Sequence, residues 1–521
     1  MFYKIPLSLE TEINDFDFHV KKFVDGKITS KELKHESAPF GVYEQRNTKF
    51  MIRIRCAAGM ISPAQLKTAA LLSQQFGGKE IHITTRQELQ IHDVEPENII
   101  PAIKELRKVG LASRGGGGNA LRNILASWDS GISANEVFDV TPHAVALTNK
   151  LISEENSWKL PRKFKIAFAN SDNDNVNARC TDVGFIAQKK NGRKGFKVYV
   201  AGGMGRKSQS GNILHNFILE NEFYFVAEAI KLLFYKYGNR ENRNQARLRF
   251  LWNSLGKEKF VELYNEEIEK IKNFKFPEFD IIVNEENKYN PIEPVNSFSE
   301  EFDVWKKRYV REQKQPGLFL VNVPFLFGNL KNKCVIDLAE LLADFGDNVA
   351  RFTIQQNIML RNIPEKFLGN VYELIRKITP LAAKPTFIGN CIACTGSAIC
   401  KIGIARPREL LKALNEKLEK SNLPLDKLPD IKVNLSGCPN SCAQHHLADL
   451  GFAGKIKSEN GERKFWFSVF ENAEVKNDIL CMAKETDEIP EDKVVDYIIR
   501  KVSGVRCQMS GVGMKSQRSK V

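Results

Sequence analysis

The chain has 521 residues, ten of them cysteine, and carries a formal net charge of +14 at pH 7. Hydrophobic residues make up 42% of it, yet no apolar run reaches the roughly 18 residues of a membrane-spanning helix, so we expect a globular protein without membrane contact. The length allows about three or four domains. The N-terminus lacks the features of a secretory signal, so a cytoplasmic location is expected.

The excess of positive charge favours anionic partners. Nucleic acid is the first alternative, because basic proteins often bind it. The basic residues are dispersed, however, and no recognised nucleic-acid motif is present, so we predict no nucleic-acid partner. Small anions in a pocket, or an acidic protein partner, account for the charge equally well.

The predicted elements begin after a charged, weakly patterned arm at residues 1–45, which is expected to wrap another part of the protein. The pattern that follows predicts a strand at 50–56, a turn at Gly59, a helix capped near Ser62 and running to about Phe76, and a strand at 79–85. These elements would form a compact α+β unit.

The same unit recurs 269 residues later, which is the strongest sign of internal organisation. At this constant offset the matches are Gly59, Leu72, Phe76, Gly77 and Gln87 with Gly328, Leu341, Phe345, Gly346 and Gln356. Two more matches follow at offsets of 268 and 267, namely Leu160-Pro161 with Leu428-Pro429 and Asp182-x-Gly184-Phe185 with Asp449-x-Gly451-Phe452. We therefore predict two pseudo-equivalent halves, whose interface is a usual place for a ligand.

Five of the ten cysteines lie between residues 391 and 442. Four of them form two short pairs, Cys394 with Cys400 and Cys438 with Cys442, separated by 37 residues. Thiolates are the usual ligands of iron–sulfur clusters, and neighbouring Gly and Pro residues let the backbone turn several sulfurs toward one cluster. The spacing favours a four-iron cluster.

Zinc and disulfide bonds are the alternatives for these cysteines. A zinc ribbon prefers two Cys-x2-Cys pairs about 15 to 20 residues apart, whereas five and three residues separate the cysteines within the pairs here. Disulfides need an oxidising compartment, which the N-terminus does not indicate. Both alternatives fit less well than a cluster and stay open on spacing alone.

Taken together, Ala-Cys-Thr-Gly-x3-Cys and Gly-Cys-Pro-Asn-Ser-Cys-x-Gln resemble the cluster region of the sirohaem-dependent sulfite and nitrite reductases. The resemblance implies that Cys394, Cys400, Cys438 and Cys442 hold a [4Fe–4S] cluster, and that Cys442 also bridges to the sirohaem iron. Cys391, three residues before Cys394, has no counterpart in this pattern. It is either a thiol that does not bind the cluster or a rival ligand.

The resemblance extends from about residue 48 to 480 and implies an internally duplicated α+β fold, with paired ferredoxin-like modules and paired α/β lobes around a central cofactor. The predicted division is an arm at 1–45, modules at 46–110 and 316–375, lobes at 111–277 and 376–480, a linker at 278–315 and a tail at 481–521. The linker is rich in Glu, Asn and Pro and is expected to be mostly irregular.

Two lysines stand out in the run Leu-Pro-Arg-Lys-Phe-Lys at 160–165. Residues two apart in a strand share a face, so Lys163 and Lys165 should point the same way while Phe164 packs behind them. Such a pair is usually a solvated sheet face. The resemblance instead implies that both lysines bind the substrate, with Arg53 and Arg122 as the arginines that face the anion.

Arg86, Gln90 and His92 lie at even spacing, which predicts that they share one strand face. The resemblance implies that this face contacts the sirohaem, whose many carboxylates would meet its polar groups. Gln356 and Asn357 of the second copy are implied in the same role. His82 departs from the family pattern, where arginine is common, so the carboxylate contact made by that arginine is not implied for this chain.

The implied reaction is the six-electron reduction of sulfite to sulfide, with nitrite reduction to ammonia as the alternative on the same scaffold. The cluster motifs look more like nitrite reductases. Lys165, where nitrite reductases tend to have asparagine, indicates sulfite, because a second cation favours a dianion.

Electrons must come from a partner, because no flavin or nicotinamide fingerprint is present. Gly202–Gly205 is a lone glycine cluster, and no P-loop lysine follows Gly115–Gly118. An acidic ferredoxin is the expected donor, and a separate flavoprotein is the alternative. A non-catalytic iron–sulfur protein and a relative acting on another substrate are the remaining possibilities.

Overall fold

The structure is a computed structural model that describes residues 2–272, 292–296, 299–421, 423–427, 431–459 and 461–509. Two compact units are present: one contains the chain up to Ala383 together with Val475–Leu480, the other Lys384–Glu474 and the chain from Cys481 onward. The predicted match at Leu428-Pro429, residues 278–291 and 297–298 of the predicted linker, and residues 510–521 of the predicted tail lie outside the described residues.

The N-terminal arm is helical, with α1 at Leu9–Val24 and α2 at Ser30–Ser37. Helix α1 buries Leu9, Ile13, Phe16 and Val20, whose spacing of three and four residues places them on one face. These side chains join the hydrophobic core of the module that follows. The arm therefore has a clearer apolar pattern than we expected, and it packs against its neighbour through that face.

The first module contains β1 Val42–Glu44, β2 Phe50–Ile54, β3 Met60–Ile61, α3 Pro63–Phe76, β4 Glu80–Ile83, β5 Leu89–Val94 and α4 Ile99–Lys108. Helix α3 begins as predicted, because the Ser62 hydroxyl accepts a hydrogen bond from the Gln65 amide and the Gln65 side chain accepts one from the Ser62 amide.

The first lobe contains β6 Leu125–Ala126, α5 Thr141–Ile152, β7 Ile166–Ala169, β8 Val183–Lys190, β9 Arg193–Val200, β10 Asn212–Leu219, α6 Phe223–Tyr237 and α7 Leu248–Ile271. Its sheet has the order β10-β9-β8-β7-β6, in which β6, β7 and β8 run parallel and the other two strands antiparallel. Helices α5 and α6 contribute to the apolar cluster that this sheet shares with α7.

The second module contains α8 Glu300–Tyr309, β11 Val310–Glu312, β12 Leu318–Val323, β13 Asn329–Lys331, α9 Asn332–Ala343, β14 Ala350–Phe352, β15 Ile358–Pro364 and α10 Leu368–Ile378. The end of the predicted linker is therefore regular. Three acidic residues in the first turn of α8 and three basic ones in its last turn complement the helix dipole, and Trp305 and Tyr309 anchor the helix in the core.

The two modules exchange one strand each. The first sheet has the order β1-β2-β5-β4-β13 and the second β11-β12-β15-β14-β3, so β13 of the second copy completes the first sheet and β3 of the first copy completes the second. Each sheet therefore needs a strand from the other copy to complete its backbone hydrogen bonds, so the two modules form one structural unit.

A matched pair of turns links the copies. Gln87 and Gln356 both have positive φ, and their side-chain amides donate to Phe352 O and Ile83 O respectively, each at 2.9 Å. A Cβ atom at Gly59 would lie 2.7 Å from Phe352 O. The second copy repeats both the glycine and the close approach, so the matched Gly and Gln residues of the sequence hold the interface between copies.

The second unit contains α11 Thr386–Asn390, β16 Ile392–Ala393, α12 Pro407–Glu419, β17 Val433–Ser436, β18 Leu450–Glu459, β19 Glu462–Glu471, β22 Lys484–Pro490 and α13 Val494–Met509. Two short strands, β20 Glu474–Lys476 and β21 Ile479–Cys481, fall mostly within Val475–Leu480, which belongs to the first unit. The order of the sheet in the second unit is β16-β17-β18-β19-β22, with the first three strands parallel.

The segment treated as a C-terminal tail contributes an edge strand and a helix to this unit. Helix α13 buries Val494, Ile498 and Val502, which recur every four residues and so lie on one helical face. No helix within the described ranges is long and apolar enough to cross a membrane.

Candidate active site and cluster site

The cysteine pairs start from two neighbouring parallel strands. Ala393, the last residue of β16, pairs with Leu435 of β17, so the chain leaves both strands at the same edge of the sheet. Cys394 follows the first strand and Cys438 the second. The Gly437 amide donates to Cys394 Sγ at 3.1 Å, which brings the two cysteine loops together.

The other two cysteines lie on tight loops at this edge. The Cys400 amide donates to Gly396 O at 2.9 Å, and Gly396 has a φ of +58°. A Cβ atom at Gly396 would lie 2.6 Å from Ala405 O, so only glycine lets this loop approach its neighbour. Cys442 follows a residue with positive φ and is exposed, whereas Cys438 is buried.

The electrostatic environment of Cys394 fits a cluster. The pKa of Cys394 is raised to about 12, first by burial and then by the nearby Cys442 and Cys438, while backbone N–H groups oppose the shift. Thiolates that repel each other at a partly buried edge are stabilised by iron bound among them. No three His, Cys, Asp or Glu side chains in the described parts of the chain converge on a single ion position. A four-iron cluster, by contrast, takes one thiolate at each iron.

Cys391 has a different environment. Its thiol donates to Phe387 O at 3.3 Å, and burial raises its pKa to about 12. The structure thus gives Cys391 a backbone partner of its own, and its role as a spectator stays a prediction.

Arg53 and Arg122, predicted to face the anion, lie side by side. Each donates from Nη1 to Gly116 O, at 2.8 and 2.9 Å, and Arg122 Nη2 donates to Gly118 O at 3.1 Å. The glycine run at 115–118 therefore holds two guanidinium groups through its carbonyl oxygens. Burial lowers the pKa of Arg122 to about 10, and the neighbouring Arg53 contributes to the shift.

Gln90 and His92 lie together on β5, as predicted. Gln90 pairs across the sheet with Arg53, and its amide oxygen accepts from Arg53 Nε and Nη2 at 2.9 Å each. Its amide nitrogen then faces His92 Nε2 at 3.1 Å. Gln90 thus orients Arg53.

Arg86 does not share that strand face. It lies in the turn between β4 and β5, where the positive φ of Gln87 reverses the chain and breaks the alternation that we assumed. Arg86 Nη2 donates to Asn123 O at 2.7 Å. Burial lowers the pKa of Arg86 to about 9, with Arg122 and Arg247 adding to the shift and Glu88 opposing it.

The two lysines precede strand β7 and do not lie within it. Phe164 is buried, as predicted, and its backbone forms a bridge with Leu121. The Lys165 amide donates to Asp182 Oδ2 at 2.9 Å. Burial, and then the charges of Lys163, Arg86 and Arg247, hold the pKa of Lys165 well below its usual value.

The predicted cofactor contacts of the second copy have backbone partners. Gln356 Nε2 donates to Ile83 O, and Asn357 Oδ1 accepts from the Phe325 amide at 3.0 Å. Both side chains are buried, and these hydrogen bonds hold the turn and the interface between copies. A contact with sirohaem stays a prediction for them.

Sequence reasoning missed Arg247, Arg249 and Glu88, and it used Asp182 only as a repeat marker. Arg247 Nη2 donates to both oxygens of Asp182, at 3.1 and 3.0 Å. Burial lowers the pKa of Arg249 to about 10, and Arg247 adds to the shift. The run Arg-Leu-Arg at 247–249, with two cations two residues apart, is the sequence pattern that could have indicated these arginines.

The result is a cluster with excess positive charge, which we call the cation pocket. It consists of Arg53, Arg86, Arg122, Lys163, Lys165, Arg247 and Arg249, with Glu88 and Asp182 as its acids. Among the described residues, the buried Nε atoms of Arg86, Arg122, Arg247 and Arg249, and Nη1 of Arg249, have no hydrogen-bond partner. Buried, uncompensated cations with unused donors suit an anionic occupant, and both a small oxyanion and a polycarboxylate macrocycle fit.

The duplicated α+β fold, the clustered cysteines and the cation pocket define a class: iron–sulfur redox enzymes with a small anion as substrate. The family described as nitrite and sulphite reductase 4Fe-4S domain matches residues 117–272 and 386–508, and the nitrite/sulfite reductase ferredoxin-like half domain matches 43–109 and 311–378. The chain belongs to the nitrite and sulfite reductase family.

Several relatives show how the chain compares. It is 29% identical to ferredoxin–nitrite reductase of Synechococcus elongatus over 442 residues, covering 82% of this chain and 81% of the relative. It is 30% identical to a ferredoxin sulfite reductase of Mycobacterium tuberculosis over 413 residues, covering 78% and 70%. The solved structure of the Mycobacterium tuberculosis NirA protein superposes with a TM-score of 0.79 at 27% identity, covering 95% and 90%.

These comparisons confirm several predictions. The α+β fold with duplicated ferredoxin-like halves is correct, the chain is an oxidoreductase, and the family's cofactors are sirohaem and a [4Fe–4S] cluster. The relatives include both nitrite and sulfite reductases at similar identity, so their names do not separate the two substrates.

Proposed function

We propose that this protein reduces sulfite to sulfide, with nitrite reduction to ammonia as the second candidate activity. The observation that carries the proposal is the cation pocket, where seven basic side chains lie with two acids and four of the buried guanidinium Nε atoms have no hydrogen-bond partner among the described residues. The charge excess suits a dianion. Nitrite remains the second candidate because the lowered pKa of Lys165 reduces the positive charge on this lysine, which weakens the preference for a dianion.

Within this proposal, Arg53 and Arg122 bind the anion. Their shared contact with Gly116 O and the bonds that Arg53 donates to Gln90 fix the guanidinium groups before substrate arrives, so little entropy is lost in ordering them. Arg86 and the buried arginines at 247 and 249 are suited to hold the carboxylates of sirohaem, which when bound would supply the electrons for the reduction.

Lys165 is suited to donate protons, because a lysine with a lowered pKa gives up its proton more readily than an ordinary lysine. Lys163, two residues away, is the second candidate donor. Cys394, Cys400, Cys438 and Cys442 are the proposed cluster ligands, and Cys442 is the proposed link to the haem iron.

We propose a ferredoxin as the electron donor, in keeping with the names of several relatives. A separate flavoprotein is the alternative. A cytoplasmic location, and the absence of nucleic-acid and membrane partners, stay predictions.

The test is the visible spectrum of the purified protein followed by steady-state assays. Sirohaem and cluster bands are expected, together with sulfite reduction driven by reduced ferredoxin at a higher kcat/KM than nitrite reduction. A higher kcat/KM for nitrite would favour the second candidate. Colourless protein, or coloured protein that reduces neither anion, would overturn both.

A further inference from the structure

Glu88 is a buried acid that the proposed reaction does not use. Only 2% of its surface is exposed, and its Oε1 atom has no hydrogen-bond partner among the described residues. Its Oε2 atom lies 3.8 Å from Arg53 Nε. A carboxylate buried with an unsatisfied oxygen costs folding free energy, so its presence calls for a role.

The fold of the turn does not require this charge. Glu88 closes the turn through its backbone, donating to Thr84 Oγ1 at 3.1 Å and accepting from the Thr84 amide at 2.9 Å. Asn357 occupies the equivalent place in the second copy and makes the same two backbone bonds with Thr353, at 3.1 and 3.0 Å. A neutral amide therefore closes the same turn, and the carboxylate occurs only in the copy that carries the cation pocket.

The carboxylate acts on several cations at once. Besides Arg53, its negative charge raises the pKa of Arg55, Arg86 and Arg122, opposing the effect of burial on each. Its Oε2 atom is 3.8 Å from Arg53 Nε, so it adds a negative charge beside a proposed anion-binding group.

We propose that Glu88 is a positioning residue that sets the charge selectivity of the pocket, limiting its preference for dianions over monoanions. The inference rests on the proposed function, in which the pocket binds sulfite or nitrite. Coulomb energy scales with the charge of the ligand, so removing one negative charge strengthens the binding of a dianion more than that of a monoanion.

The test compares the holoenzyme with its Glu88→Gln and Glu88→Asn variants; the second carries the residue found at the equivalent turn. We expect the ratio of sulfite to nitrite kcat/KM to rise by about threefold or more in both variants. Glu88→Asp keeps the charge and should keep the wild-type ratio. Glu105→Gln removes a partly exposed carboxylate of the same module and controls for net charge.

Calorimetric titration of the same proteins with sulfate and nitrate, without an electron donor, separates this inference from the proposed function. Stronger binding of sulfate relative to nitrate in Glu88→Gln supports the charge role even if the enzyme reduces neither sulfite nor nitrite. An unchanged ratio of sulfate to nitrate affinity overturns the inference. An equal loss of affinity for both anions in the folded Glu88→Gln and Glu88→Asn variants overturns it as well.

Discussion

Burial shifts the pKa of the two kinds of proposed site residue in opposite directions. The pKa of Lys165 is lowered because a buried ammonium group among other cations is unfavourable, and the pKa of Cys394 is raised because a buried thiolate beside other sulfurs is unfavourable. Each group is thus biased toward its neutral form until a ligand of opposite charge arrives. Anion binding and iron binding should therefore both be coupled to proton movement.

The cysteine assignment can be tested by two single substitutions. Cys442→Ser should abolish turnover, because it removes the proposed link between cluster and haem. Cys391→Ser should leave iron and sulfide content close to wild type, because the Cys391 thiol already donates to Phe387 O. Iron and sulfide analysis of both purified proteins decides the matter. Loss of the cluster in Cys391→Ser would contradict the assignment.

Lys165→Asn tests the role of the second lysine. It should lower kcat/KM for sulfite by about tenfold, or roughly 1.4 kcal/mol, and that for nitrite by less, because a cation attracts the dianion more strongly. The difference should shrink at high pH, since the lowered pKa lets wild-type Lys165 lose its proton early. Lys190→Asn, at an exposed lysine of the same lobe, is the matched control. An equal effect on both anions would refute the prediction.

At the scale of elements, helices α5 and α6 meet through a buried charge cluster. Lys231 on α6 is fully buried and bonds to Glu154, beyond the end of α5, and its Nζ lies 2.9 Å from Glu228 Oε2. Lys150 also pairs with Glu154, at 3.2 Å. Burial raises the pKa of Glu228 to about 7, with Glu154 adding to the shift and Lys231 opposing it.

This shift predicts a pH dependence of stability. The folded protein holds a proton on Glu228 more tightly than the unfolded chain does, so the stability it contributes is full below about pH 4.5 and is lost as pH rises to about 7. Relative to wild type, Glu228→Gln should therefore gain about 1 to 3 °C in Tm between pH 5 and pH 8. Thermal melts at the two pH values measure it, with Glu258→Gln on the surface of α7 as control. A Tm difference that does not change with pH would contradict the assignment.

At the scale of the whole molecule, the net charge of +14 should speed encounter with an acidic donor. The Debye length shrinks from roughly 30 Å at 0.01 M salt to about 10 Å at 0.1 M, so the association rate with reduced ferredoxin should fall several-fold over that range. Stopped-flow measurement of electron transfer against ionic strength tests this. A rate that does not depend on salt would favour a tightly bound flavoprotein instead.

Local patterns in the sequence were enough for the features that depend on neighbouring residues. The spacing of Cys394, Cys400, Cys438 and Cys442 indicated a cluster because ligand geometry is built from short loops, and Ser62 marked a helix start because capping involves residues three apart. The duplication could be recognised because both copies have Gly and Gln at the same turns. Gly59 and Gln87 of the first copy, like Gly328 and Gln356 of the second, have positive φ.

Only the tertiary structure decided what depends on residues far apart in the chain. The exchange of β3 and β13 between sheets follows from pairing between copies, which no local periodicity encodes. Arg86 was assigned to a strand face because alternation cannot reveal a residue with positive φ beside it. The balance of charge in the cation pocket also depends on the fold, because folding brings Glu88 and Arg247 close to Arg86 and Arg122. In the low-dielectric interior these charges interact strongly.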